Sequence, residues 1–190
     1  MEYTGNLFES QFIGEADTDN PKYRQALEKA KKEEEKAGMK DGYIRFRKAM
    51  ELARQSQTYD PTNPNKPFAR DIRIAFQDLL KLETPEEMDL VRFFTAVGTP
   101  LDKLHGVDGF LEYLDPKDRK RYFATFDLTA NPQKRVYKSD IIVVEKDLPD
   151  PDLRPKEYLE KINELAKQAL VKILARQVQE QKMVLDRPSK

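Results

Sequence analysis

Two runs of strand-forming residues, GVDGFLEYL at 106–114 and RYFATFDLT at 121–129, are separated only by the charged segment DPKDRK. The proline and the polarity of that segment mark a reversal, so the two runs are predicted to pair as antiparallel strands. Each run places an aspartate, Asp108 or Asp127, among apolar neighbours. A carboxylate in a half-buried strand loses its hydration, and folds tolerate this where the charge is paired, hydrogen-bonded or bound to a metal. Strand alternation puts Asp127 on one side with Phe123, Thr125 and Thr129, and Asp108 with Phe110 and Glu112. Pairing in the right register brings the two acids together.

Helices dominate the remainder. Residues 1–20 carry Tyr3, Phe8 and Phe12 without a period and read as an irregular arm. Asn20, Pro21 and Gly38 punctuate a helix over 21–38, whose KAKKEEEK run is expected to face water. A second helix over 41–55 presents Tyr43, Phe46, Met50 and Ala53 at helical spacing and completes a hairpin with the first. The proline-rich YDPTNPNKP breaks regular structure. The reading is therefore an N-terminal arm and helical hairpin over 1–66, and an α+β core over 67–190. Within the core a third helix is predicted over 68–83 and a fourth over 84–98, started by Thr84, Pro85 and Glu87 and stopped by Gly98. That leaves the segment up to Val107 too short for a strand. A third strand is expected over 138–145, and a helix over 156–183 buries Tyr158, Ile162, Leu165, Ala169 and Ile173 against the sheet. The fold class is α+β: a helical N-terminal part, then a small, mostly antiparallel sheet flanked by helices.

The 34 basic and 34 acidic residues cancel, so no global field draws the chain to nucleic acid or to an anionic membrane, although local patches still can. The absence of cysteine excludes disulfides and thiolate chemistry. MEYTGNLFES lacks the basic and apolar regions of a leader, and the longest aliphatic run is IIVV at 141–144. A cytoplasmic protein with no membrane association is expected, and a phage-encoded protein would look the same.

At its acids the chain resembles the PD-(D/E)XK nuclease superfamily, which places an acid on one strand of a hairpin and an acid-x-lysine on the next, often with a glutamate from the preceding helix. The resemblance spans roughly residues 84–175. It implies a restriction-endonuclease-like core, Asp108 from GVD and Asp127 from FDLT as ligands of Mg²⁺ or Mn²⁺, Glu87 as a third ligand, and DNA as the substrate. The family's lysine position holds Thr129, so the role passes to Lys134, with Lys138 the next candidate.

His105, three residues before Asp108, is a candidate to orient water, contact phosphate or ligate the metal; its alternative is a structural hydrogen-bond donor. Lys134, Arg135 and Lys138 in NPQKRVYK grip a nucleic-acid backbone or form a solvated loop. Asp140 caps the strand that follows or hydrogen-bonds near the site. For the acid pair the competing account is a hairpin whose aspartates bond to turn amides or to basic neighbours. The function expected is a Mg²⁺-dependent nuclease, with two alternatives: a non-catalytic scaffold that docks a protein partner through its N-terminal helices, and a hydrolase of a small phosphorylated metabolite.

Overall fold

In the computed structural model of the chain, which describes residues 3–131 and 138–185, seven α-helices surround a four-stranded sheet. Helices α1 (Tyr3–Phe12), α2 (Pro21–Lys36), α3 (Phe46–Gln55), α4 (Pro67–Leu80) and α5 (Pro85–Met88) precede strand β1 (Val91–Thr95). Helix α6 (Pro100–His105) leads to β2 (Gly109–Leu114), followed by β3 (Arg121–Thr129), β4 (Ile141–Val144) and α7 (Pro155–Leu185). The sheet order is β1-β2-β3-β4; the first three strands are antiparallel, and β4 runs parallel to β3. The expected α+β class and mostly antiparallel sheet are present.

Three predicted elements differ. The fourth helix is one turn long. Its start signal is real: the Thr84 hydroxyl accepts from the Glu87 amide and the Glu87 carboxylate accepts from the Thr84 amide. The chain then turns at Asp89 and Leu90 into β1. Met88, Val91, Phe94 and Val97 share a helical period by coincidence, because β1 is buried on both sheet faces: Val91 and Phe93 enter one core, and Phe94 enters the other. The N-terminal arm is helical, pinned by Phe8 and Phe12, which lie four residues apart with ring centroids 4.9 Å apart. The helix expected from residue 41 begins only at Phe46.

Two hydrophobic clusters sandwich the sheet. On one face, Phe68, Ile72 and Phe76 of α4 and Tyr158, Ile162, Leu165, Ala169 and Ile173 of α7 pack on Phe93, Leu111, Phe126 and Leu128, joined by Phe8 and Ile13. On the other face, Tyr23 and Ala30 of α2 and Ala49, Met50 and Ala53 of α3 pack with Leu101 on Phe94 and Phe110. Residues on both sides of position 66 therefore contribute to each core. The proline-rich segment 59–67 runs beside β1, where the Pro61 carbonyl accepts from the Phe93 amide (3.0 Å). The Gln57 side chain also exchanges two hydrogen bonds with the Thr95 backbone (2.8 and 3.0 Å), which satisfies the edge of the sheet. In the KAKKEEEK run one residue departs from its expected solvated face. Glu34 is buried, with Arg45 Nε 2.7 Å and Lys48 Nζ 3.5 Å away; these are charge contacts by proximity, not aligned hydrogen bonds.

Close approach of β1 and β2 depends on Gly109. A methyl group there would stand 2.9 Å from Cζ of Phe93 and 3.2 Å from the Phe94 carbonyl oxygen. Since the Phe93 ring is locked in the core, Gly109→Ala is expected to cost about 1–3 kcal/mol through overpacking, measured by urea denaturation. An unchanged midpoint would contradict this packing.

Candidate functional site

Asp108 immediately precedes β2 and Asp127 lies near the end of β3, and both are almost wholly inaccessible to water, at 5% and 2% exposure. The last registered pair of the β2–β3 ladder is Gly109 with Phe126. One residue beyond it the strands interlock. The Asp108 amide donates to the Phe126 carbonyl oxygen (2.9 Å), and the Asp108 carboxylate oxygen Oδ2 accepts from the Leu128 amide (2.7 Å). Asp108 thus bonds to the residues on either side of Asp127. The Ala96 amide, just past β1, donates to the Asp108 carbonyl oxygen (2.7 Å), so three strand ends meet at this residue.

Burial pushes the Asp108 carboxyl up to about 8, and the negative charges of Glu9, Asp127 and Asp102 push in the same direction; the single bond from the Leu128 amide opposes them and loses. Glu9 comes from α1 and Asp102 from the first turn of α6. Four carboxylates from four segments therefore act on one end of the sheet. Sequence reasoning singled out neither Glu9 nor Asp102. Glu9 was legible only once Phe8 and Phe12 were seen as a helical pair. Asp102 sits in Thr99-Pro100-Leu101-Asp102, a second copy of the Thr-Pro-x-acid start that identified Glu87; its Oδ2 accepts from the Gly98 amide (2.9 Å).

The other sequence candidates lie elsewhere or serve other contacts. The Glu87 carboxylate accepts from the Glu83 and Thr84 amides (both 3.1 Å), and these bonds lower its pKa. It precedes β1, whereas Asp108 meets the chain beyond the other end of that strand, a separation of roughly 17 Å at the usual rise per residue. His105 is buried at the end of α6, with its ring Nε2 2.8 Å from the Ile44 carbonyl oxygen, which fixes that nitrogen as the donor; Phe46 and Tyr43 pack against the ring. This is the structural donor role. Lys134 and Arg135 lie outside the described residues, and Lys138 Nζ donates to the Leu104 carbonyl oxygen (3.1 Å). Asp140 binds both terminal nitrogens of Arg176 (2.9 and 3.1 Å) and the amide and hydroxyl of Thr125 (both 2.9 Å). Burial alone would raise its carboxyl, but these bonds and the guanidinium charge bring it below its ordinary value.

Comparison with protein-family models, with curated proteins and with solved structures finds no match. Among the described residues no three histidine, aspartate or glutamate side chains gather into a ready-made metal cage. A small hard cation does not require one: Mg²⁺ keeps several waters and commonly takes only one or two carboxylates from the protein. Asp108 and Asp127 are a donor set of that kind, in a place where added positive charge relieves repulsion.

Asp108 holds its proton more tightly in the folded chain than its ordinary value of 3.8 allows when unfolded. Its contribution to stability is therefore full below that value and is lost as pH rises toward 8. In divalent-free buffer the melting temperature is expected to fall from pH 5 to pH 8. Asp108→Asn, which mimics the protonated acid and keeps an acceptor for the Leu128 amide, removes most of that slope. Parallel slopes in the two proteins would contradict the assignment.

Proposed function

We propose that the chain is a Mg²⁺- or Mn²⁺-dependent nuclease that hydrolyses phosphodiester bonds of DNA, with Asp108 and Asp127 holding the ion. The reading treats the mixed sheet and its flanking helices as a restriction-endonuclease-like core. The observation that carries it is the burial of Asp108, just before β2, bonded to the backbones of Phe126 and Leu128 on either side of the equally inaccessible Asp127, with further negative charge from Glu9 and Asp102. A glutamate from a helix before the sheet also belongs to the family pattern; Glu87 lies too far along β1 to fill it, and Glu9 of α1 contributes charge at Asp108 without being proposed as a ligand.

When bound, the ion polarises the phosphodiester and lowers the pKa of an attacking water. The remaining tasks belong to the chain. Burial at the junction of β1, β2 and β3 holds Asp108 in one orientation through the Leu128 amide, so its second oxygen is the one available to a ligand. Loss of the Asp108 proton is coupled to arrival of positive charge, so activity rises with pH across the neutral range. Asp102, fixed by the Gly98 amide, and Glu9 add negative charge that favours cation capture. Lys134, proposed in place of the family's displaced lysine, would balance charge developing on the phosphate.

Incubation of labelled DNA with the protein and Mg²⁺ tests this directly. Wild type is expected to cleave, and Asp127→Ala to lose at least about a hundredfold in rate, since even groups that only support a metal ligand are worth 10–100-fold. In a parallel thermal melt, Mn²⁺ raises the midpoint of wild type and not that of Asp108→Asn, because a ligand that binds only the folded state stabilises it by mass action. Equal cleavage by both proteins, or a melt indifferent to metal, overturns the reading and leaves a non-catalytic scaffold in which α2 and α3 dock a partner.

A further inference from the structure

The outer face of α7 has no task in the nuclease reading. The helix buries Tyr158, Ile162, Leu165, Ala169 and Ile173 in the core. At about 3.6 residues per turn, Val171, Leu174 and Val178 fall on the opposite side, where they are 64%, 49% and 50% exposed. Single exposed apolar side chains are ordinary, but three on one helical face form a stripe that marks an interaction surface. With Ala175 they occupy positions i, i+3, i+4 and i+7 counted from Val171, the patch through which one helix packs on another. The small Ala175 leaves a depression of about 420 Å³ bordered by Leu174, Val178, Gln179 and Lys182, with room for side chains of a facing helix.

The charges on this face say which helix fits. From the N-terminal side it carries Glu160, Glu164 and Lys167, then the apolar patch, then Lys182, all of them exposed. Among the described residues Lys167 and Lys182 form no ion pair, and Glu164 has only an exposed partner, Lys161 (2.9 Å). A second α7 running antiparallel answers all of these in one register. Val171 of each chain meets Leu174 of the other, Val178 lies along the aliphatic stem of Lys167, and Lys182 comes beside Glu164. A single two-fold axis at the level of Lys172 and Ile173 generates every one of these pairings. A parallel copy would set Glu164 on Glu164 and Lys182 on Lys182, like charge on like.

We propose that the outer face of α7 binds a second copy of this chain, the two helices forming an antiparallel pair about a two-fold axis. The patch is self-complementary: Leu174 projects from the same surface that holds the depression beside Ala175, so each copy both fills and is filled. The contact is small, and its dissociation constant falls in the micromolar range, as for other interfaces of modest area. The proposal stands on the geometry and charge of α7 and does not depend on the nuclease reading.

Sedimentation velocity of the full chain across the micromolar range tests it. The weight-average mass is expected to rise with concentration from one chain toward two. Leu174→Glu weakens the association by at least about tenfold, while the melting temperature at monomeric dilution stays unchanged because the side chain is exposed. Lys182→Glu and Glu164→Lys each weaken it by about threefold, and the two together in one chain restore it. A chain that remains monomeric throughout overturns the proposal and leaves the face to a different partner. A dimer indifferent to Leu174→Glu forms elsewhere and overturns it too. A dimer that Leu174→Glu disrupts but the double exchange does not restore is not paired in this register, which overturns the antiparallel assignment.

Discussion

Burying the Asp108 carboxyl where three strand ends meet is the constraint around which this fold is arranged. Ionising a carboxyl in such a place costs several kcal/mol, a large share of the roughly 5–15 kcal/mol by which a domain of this kind is stable, so Asp108 keeps its proton up to a pH of about 8. The Leu128 amide supplies one hydrogen bond, and the charges that bear on the group are those of Glu9, Asp127 and Asp102. Gly109, with no room for a side chain against Phe93, lets β1 approach β2 next to Asp108.

Two other buried acids, Glu112 and Glu34, and the half-buried Asp140 are treated differently. Glu112 faces Arg54, whose Nε lies 2.9 Å from its Oε2, and Arg121 stands 3.8 Å from its other oxygen. Glu34 lies between Arg45 and Lys48, and Asp140 is clasped by Arg176 and Thr125. Each of these pins a helix or strand in place: α3 on the sheet, α2 on α3, and α7 on β3. At Asp108, among the described residues, no cationic side chain fills that part. The reading of Asp108 as a metal ligand proposed above starts from this contrast with Glu112, Glu34 and Asp140.

Much of this was legible in the sequence, and the gaps have physical causes. Alternation showed which neighbours share a side with Asp108 and which with Asp127, but the register, which ends on Gly109 opposite Phe126 and so sets the two acids one residue beyond, comes from how the strands pair in the fold and is not fixed by the residues of the DPKDRK turn. Strand β3 and helix α7 were readable because one alternates between polar and apolar residues and the other keeps an unbroken apolar stripe. Strand β1 was not, since burial on both faces erases alternation and a true capping box directed the eye to a helix. The third carboxylate was sought at Glu87 for the same reason. Glu9 reaches the acids only through tertiary packing of α1 on the sheet, which no local pattern encodes.

The metal reading proposed above, in which a cation displaces the Asp108 proton, makes a quantitative demand on binding. Calorimetric titration of the wild-type protein with Mn²⁺ at pH 7, repeated in two buffers of different ionisation enthalpy, counts the protons released per ion bound. About one proton is predicted for the wild type and close to none for Asp108→Asn. Mn²⁺ binding without proton release, or with the same release in the variant, would show that Asp108 is not the group the cation discharges and would contradict the account at its centre.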